Sequence, residues 1–375
     1  MGKIKHLEVN LDTNNACNMN CKYCFLGDKN NFHQPHFNKD YYDNLDLSKC
    51  EIIEFWGGEP FLYWEHFSTI ASYFRDRCPQ AELYVLSNGS ILNENIINFL
   101  IEKRIFLSLS HDGPDQYIRG DDFLKDTNKI ELLKKLPYKI IFSMTLTSQH
   151  APYSEYKDFF YKLSETGLNF TCKIIPARGT DDFNMPFAFT TTEHAENLIK
   201  FFSDMIDDCN RNLKSSIIFY YTLARLLGRS KSKYPCSTHE SDFLATTTDG
   251  SKVVCHTGKK EMTKIAGCLD CPAAGQCYVS CQVLNEKFKV VQCDAAKLYA
   301  EKINEKVYSI WTIIDVPTYF VCLDDVKDIF DFVENYDKTK TTFYFSKSKR
   351  QKQRITEIME IALQLQKNDY VCLIM

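Results

Sequence analysis

From the first residues to about residue 215, short apolar runs alternate with longer stretches of helical periodicity, and this alternation restricts the fold more than any other feature. Strand-like runs lie at residues 4–11, 52–56, 82–86, 105–110, 139–146 and 169–175. Between them, residues 60–77, 93–101, 125–136 and 153–165 carry apolar side chains at the three- and four-residue spacing of amphipathic helices. Each link is too long for a hairpin and long enough for a helical crossover. Consecutive strands should therefore run parallel, giving an α/β sheet. Ligand-handling residues in such sheets gather beyond the carboxyl ends of the strands.

The motifs of the chain fall at those ends. The first strand leads into Cys17-Asn18-Met19-Asn20-Cys21-Lys22-Tyr23-Cys24, which places three cysteines within eight residues. Three thiolates can hold three irons of a cubane [4Fe–4S] cluster and leave the fourth iron open to a small molecule. Trp56-Gly57-Gly58-Glu59-Pro60 follows the second strand, Ser87-Asn88-Gly89 the third and Ser110-His111-Asp112-Gly113-Pro114 the fourth. Each of these alone also reads as an ordinary polar turn. Together they describe one site. The paired glycines admit a bound molecule close to the backbone, and Glu59 offers a carboxylate to an ammonium group.

CxxxCxxC followed by GGEP resembles the signature of the radical S-adenosylmethionine (SAM) enzymes. The resemblance implies that Cys17, Cys21 and Cys24 ligate the cluster, whose open iron chelates the amine and carboxylate of SAM. Gly57, Gly58 and Glu59 would receive the amino group, and Asn88, Ser110, Asp112 and Arg119 would contact the carboxylate and ribose. Tyr23 and Phe25 would pack beside cluster and adenine, with simple core packing as the alternative. The implied chemistry is reductive cleavage of SAM to methionine and a 5′-deoxyadenosyl radical, which abstracts a hydrogen atom from an unactivated C–H bond.

Sixteen cysteines in 375 residues need a metal or a core to explain them, because no export signal argues for disulfides. Beyond the triplet, Cys236, Cys255, Cys268, Cys271, Cys277, Cys281 and Cys293 form a second array. One structural zinc site is the competing explanation, but seven cysteines exceed what a single tetrahedral site uses. The spacing resembles the SPASM domain of radical SAM peptide maturases. By that resemblance Cys236, Cys255 and Cys281 bind an inner auxiliary [4Fe–4S] cluster, and Cys268, Cys271, Cys277 and Cys293 an outer one. Asp242 stands where many relatives have an eighth cysteine, so the inner cluster has either an aspartate ligand or an open iron. His256 follows Cys255 where sulfatase-activating relatives place an aspartate. A histidine could act as acid or base there, and His256 and Asp242 are the candidate catalytic residues outside the SAM site.

The resemblance implies a partial (β/α)6 radical SAM barrel over residues 1–228, a SPASM module over 229–311 and a small β-α-β-α-β appendage over 312–375. A helix over 190–213 with an apolar stripe of Leu198, Phe201, Phe202 and Met205 precedes the module, and another spans 217–227. The expected activity is oxidative modification of a ribosomally made precursor peptide, forming a thioether or another side-chain crosslink. The alternatives are formylglycine formation from cysteine or serine and, in another class, a non-catalytic zinc-binding interaction protein. A flavodoxin or ferredoxin would deliver electrons; no leader-recognition domain is expected before residue 10, so a separate protein would be expected to present the peptide. A formal charge of −4 and the lack of a basic stripe give no argument for nucleic acid. No apolar run reaches membrane-spanning length, so a cytoplasmic enzyme is expected.

Overall fold

The computed structural model describes residues 4–11, 16–26, 36–230, 242–255, 271, 273, 275–279, 286–310, 318–322, 342–346 and 371–374. Two compact units are present, Met1–Val307 and Tyr308–Met375.

The first unit is built on the expected parallel sheet. Its strands are β1 (His6–Asn10), β2 (Ile52–Trp56), β3 (Glu82–Ser87), β4 (Ile105–Ser110), β5 (Ile140–Leu146) and β6 (Phe170–Pro176), each paired in parallel with the next. The sheet stays open, in the order β6-β5-β4-β3-β2-β1, and continues past β1 into β7 (Phe243–Thr247) and β8 (Lys252–Val253). Helices Trp64–Arg77, Glu94–Glu102, Thr127–Lys134, Tyr153–Glu165 and Thr192–Arg211 follow the strands as their periodicity predicts. Asn93, Asp126 and Thr191 cap three of them by accepting a backbone N–H from the first turn.

One face of the sheet is a continuous apolar surface. Leu7, Val9, Ile53, Phe55, Leu83, Val85 and Leu107 are completely buried, and so are Phe67, Ile70 and Phe74 on the covering helix. Burying each large side chain contributes roughly 1.5–3 kcal/mol, which makes this layer the main source of stability. The other face is polar near the strand starts. There His6, Glu8 and Glu54 bring their ligand-type atoms within 4.8 Å of one another, with His6 Nε2 3.1 Å from a Glu54 oxygen.

β7 was not among the strands expected from the sequence. It lies parallel to β1 with His6 opposite Phe243, and is held there by Tyr42, whose hydroxyl donates to the Thr247 carbonyl at 2.8 Å. Asp249-Gly250 then turns the chain into β8. Gly250 has φ +87°, and a Cβ there would sit 2.6 Å from the Tyr41 ring, so the turn has both a backbone and a steric need for glycine.

The second unit contains β9 (Thr318–Cys322), β10 (Thr342–Ser346) and β11 (Val371–Ile374), a parallel sheet in the order β11-β10-β9. Parallel pairing requires crossovers, as the expected β-α-β-α-β pattern does. The helices expected at 325–336 and 354–366 lie outside the described residues.

Candidate active site

The loop after β1 carries the cysteine triplet. Cys17, Cys21 and Cys24 are not joined in disulfides, Cys21 buried and the other two partly exposed. Met19, Cys21, Tyr23 and Ile118 form a small buried cluster, with Cys17, Cys24 and Phe187 packed against it. Backbone bonds fix the loop on three sides. Cys24 N donates to Cys21 O at 3.1 Å, Lys22 N to Ile118 O at 3.3 Å, and Glu59 N to Ala16 O at 2.8 Å.

The loops after β2 and β3 are joined through Glu59, which is only 3% exposed. One carboxylate oxygen accepts from Ser87 Oγ at 2.8 Å and Phe61 N at 3.2 Å, and the other from Asn88 N at 2.7 Å. Burial pushes this carboxyl up, and the three donors pull it back. Gly57 and Gly58 precede it as a partly exposed bend. Asn88 in turn directs its amide at the cysteine loop: Nδ2 donates to Asn18 Oδ1 at 2.9 Å and lies 3.8 Å from Cys17 Sγ. Its Oδ1 accepts from Ser90 N at 2.9 Å, and Asn18 Nδ2 donates to Ser90 Oγ at 2.8 Å. Gly89 makes this turn with φ +75°, and its Cα faces the Phe123 ring so closely that a Cβ would meet it at 2.7 Å.

The loop after β4 meets the triplet from the other side. Tyr23 OH donates to Asp112 Oδ2, Thr145 N donates to Asp112 Oδ1 at 2.9 Å, and Arg119 Nη1 donates to Tyr23 OH at 3.0 Å. Burial, reinforced by the Asp112 carboxylate, pushes the Tyr23 hydroxyl well above its usual range. Burial likewise raises Asp112 against the pull of Arg119 and Tyr23. For Arg119 burial opposes the charge, but Tyr23, Cys21 and Asp112 outweigh it and hold the guanidinium firmly protonated. Its Nε is buried and has no hydrogen-bond partner among the described residues. Ser110 is buried at the end of β4, and Phe25 is 37% exposed.

These residues fit an anionic iron–sulfur cluster with an attached small molecule. Three thiols share one short loop, an amide N–H lies near one sulfur and a fixed cation near another. Both neighbours favour the thiolate form that ligates metal. Arg119 Nε, without a partner among the described residues, adds a donor suited to an anionic ligand group.

Sequence reasoning missed Asn18 and Ser90, which complete the Asn88 network. It also missed the role of His111, whose Nδ1 accepts from Gly113 N at 3.0 Å while Nε2 meets Asp122 Oδ1 at 2.9 Å. A signal for Ser90 existed: asparagine two residues ahead of a serine favours a side-chain-to-backbone turn.

The second cysteine array is described only in part. Cys255 is buried, Cys271, Cys277 and Cys293 are partly exposed, and none of the four is in a disulfide. Cys236, His256, Cys268 and Cys281 lie outside the described residues. Asp242 sits at the start of β7, where its carbonyl accepts from Lys5 N at 2.9 Å and its carboxylate lies 3.7 Å from Lys5 Nζ. This is the amino end of β1, so Asp242 stands at the opposite end of the strands from Cys17. Ala245 pairs with Val253 in the β7–β8 hairpin, and buried Cys255 follows two residues after that pairing ends.

Residues 11–170 match the family model of the radical SAM superfamily. The chain is 27% identical over 191 residues to the radical SAM cyclopropyl synthase TigE of Paramaledivibacter caminithermalis, a match that spans 43% of this chain and 40% of that protein. It is 28% identical over 269 residues to an uncharacterised protein of Methanocaldococcus jannaschii, covering 68% of this chain and 85% of the relative. Among solved structures, native anSMEcpe with bound AdoMet superposes with a TM-score of 0.57 at 17% identity, over 82% of this chain and 99% of that one. Streptococcus suis SuiB bound to precursor peptide SuiA gives 0.53 at 13% identity, over 76% of this chain and 73% of that one. At these identities the structural likeness is one of fold.

Proposed function

We propose that this radical SAM enzyme oxidatively modifies a ribosomally made precursor peptide, joining a side chain through a thioether or another crosslink. The observation that carries the proposal is the meeting of Cys17, Cys21 and Cys24 with the Glu59, Asn88 and Asp112 loops at one end of a parallel sheet. Cys17, Cys21 and Cys24 would hold a [4Fe–4S] cluster with an open iron for SAM; once bound, the pair supplies one-electron sulfonium cleavage and a carbon radical able to take hydrogen.

The chain's own residues bind, orient and shield. Glu59 ties the loops after β2 and β3 into one frame, which keeps Gly57 and Gly58 available as a backbone surface for the methionine end of SAM. Asn88 braces the cysteine loop and leaves Ser110 and Arg119 to face the carboxylate and ribose. Arg119 Nε is the donor in this group that has no partner among the described residues. Tyr23, fixed by Asp112 and Arg119, presents its ring beside the cluster loop and excludes water from it.

The fold likeness to SuiB, solved with its precursor peptide, and to anSMEcpe, solved with AdoMet and with peptides, supports a peptide substrate. Two auxiliary [4Fe–4S] clusters belong to the same proposal, with Cys236, Cys255 and Cys281 on the inner one and Cys268, Cys271, Cys277 and Cys293 on the outer. The position of Asp242 at the amino end of β1, the opposite end of the strands from Cys17, supports an inner-cluster ligand better than an acid or base at the SAM end. His256 remains the candidate acid or base next to that cluster. The domain limits follow: 1–228, 229–311 and 312–375. The oxidation releases electrons that the auxiliary clusters would carry away, and a flavodoxin or ferredoxin would reduce the first cluster. A reducing cytoplasm suits such clusters, and no described helix is long and apolar enough to cross a membrane.

The test is an anaerobic reaction of the reconstituted protein with SAM, a reductant and a candidate precursor peptide, read by mass. A loss of about two mass units per event, the two hydrogens removed by an oxidative crosslink, is expected. An unchanged mass with solvent deuterium incorporated would replace crosslinking by epimerisation. Formation of a carbonyl at cysteine or serine would favour the formylglycine reading.

A further inference from the structure

The loop after β6, residues 177–189, is held in one shape by its own side chains. Asn184 is 1% exposed; its Oδ1 accepts from Thr180 N at 2.7 Å and Asp181 N at 3.2 Å, and its Nδ2 donates to Thr180 Oγ1 at 2.7 Å. Asp181 Oδ1 accepts in return from Phe183 N and Asn184 N, both at 3.0 Å. Met185 N donates to Asp181 O at 3.1 Å and Phe187 N to Asn184 O at 3.0 Å, so backbone and side chains fix the same turn.

This turn rests on the cysteine loop at one side. Phe187 packs against the buried group of Met19, Cys21, Tyr23 and Ile118, and Asn184 Nδ2 also donates to the Cys24 carbonyl at 3.4 Å. At its other side the loop is gripped by helix Glu286–Ile310. Gln292 is completely buried, and its amide pairs with Gly179 as a neighbouring strand would. Oε1 accepts from Gly179 N and Nε2 donates to Gly179 O, each at 3.0 Å. Nε2 also donates to Phe288 O at 2.7 Å, one turn back on its own helix, which fixes the direction of the side chain. Gln292 directly precedes Cys293, and the ring of Tyr278, next to Cys277, lies 5.7 Å from that of Phe189 at the far end of the loop. Buried backbone groups are costly to strand, so helix and loop move together or not at all.

We infer that Gln292 is a positioning residue for SAM: through the 177–189 loop it sets the cysteine loop whose cluster receives the cofactor. This rests on the reading of Cys17, Cys21 and Cys24 as ligands of a SAM-binding cluster. With the amide gone, Gly179 loses its partner, and the contacts of Phe187 and Asn184 with the cysteine loop loosen. The helix that carries Cys293 is thereby kept in register with the SAM end of the sheet.

The test uses the anaerobically reconstituted full chain with SAM as the probe, its binding read by equilibrium dialysis and by the change it causes in the electron paramagnetic resonance signal of the reduced protein. Gln292→Met keeps the length and bulk of the side chain and removes its amide; at equal iron content it should bind SAM roughly tenfold more weakly. Gln276→Met is the control. It deletes another buried glutamine bond from the cysteine-rich stretch, Nε2 to Leu226 O at 2.6 Å, and should bind SAM as the parent does. Asn184→Asp keeps the acceptor for Thr180 N and Asp181 N and removes the donor to Cys24 O. It should weaken SAM in the same way, and the double variant with Gln292→Met should be no worse than the weaker-binding single one. Parent-like affinity in Gln292→Met, equal weakening in Gln276→Met, or additive losses in the double variant would each overturn the inference. If Gln292→Met fails to load iron, Asn184→Asp decides, and parent-like binding there refutes the route. A parent that binds no SAM removes the cluster reading itself, and the inference with it.

Discussion

Glu59 and Asn88 look alike in the sequence, two polar residues in turns after strands, yet the structure gives them different work. Glu59 collects Ser87 Oγ, Asn88 N and Phe61 N on a carboxylate that is almost fully buried. Its first role is therefore to hold two loops together, before any ligand arrives. Glu59→Gln would set an amide NH2 against donors that need an acceptor. We expect the metal-free, SAM-free protein to lose about 1–3 kcal/mol, the cost of stranding buried donors, read by urea unfolding. A residue that only bound SAM would leave that measurement unchanged. The motif around Glu59 was legible in the sequence, but its partners were not. Ser87 and Asn88 are 28 and 29 residues away and become its neighbours only through the register of β2 on β3. Asn18 was hidden for a related reason: among three cysteines it reads as a spacer, and its bond to Asn88 spans 70 residues.

Among the elements, Asp208 shows how helices outside the site keep the sheet covered. On helix Thr192–Arg211 it accepts from Tyr153 OH at 2.7 Å and Lys157 Nζ at 2.6 Å, and from Ser215 Oγ, so three helices share one carboxylate. Partial burial pushes its carboxyl up, but the bonds from Lys157, Ser215 and Tyr153 outweigh this and hold it below the usual carboxylate range. A lowered folded-state value means that the stabilisation is present above the unfolded value, near 3.9, and is lost as pH falls through the folded one. Thermal unfolding between about pH 5 and pH 2 should thus show a steeper acid decline for the parent than for Asp208→Asn. The variant itself should be about 1–2 kcal/mol less stable at neutral pH. Strands β1 to β6 were legible because each is an apolar run between helical periods, and the observed limits differ from the expected ones by a residue or two. β7 was not, since Phe243–Thr247 is short and weakly patterned and lies inside a cysteine array that suggested metal chemistry. Its one local signal was Asp249-Gly250, a dipeptide that favours tight hairpins.

At the scale of the whole molecule, the sequence fell into modules by chemistry, whereas the structure groups residues by packing. In sequence, the array that begins at Cys236 brackets the β7–β8 hairpin, and that hairpin extends the main sheet past β1. Asp242 stands at the amino end of that sheet, against Lys5, and the SAM-type loops gather at its carboxyl end. The central claim is that the carboxyl-end group builds a cluster with a vacant iron that takes SAM. It is tested most directly by incubating the anaerobically reconstituted protein with SAM and dithionite and measuring 5′-deoxyadenosine. The account predicts its formation by the parent and at least a hundredfold loss, roughly 2.7 kcal/mol or more in barrier, in Cys17→Ala, Cys21→Ala or Cys24→Ala. A parent that binds only zinc, or a cysteine variant that still releases deoxyadenosine at the parent rate, would contradict it.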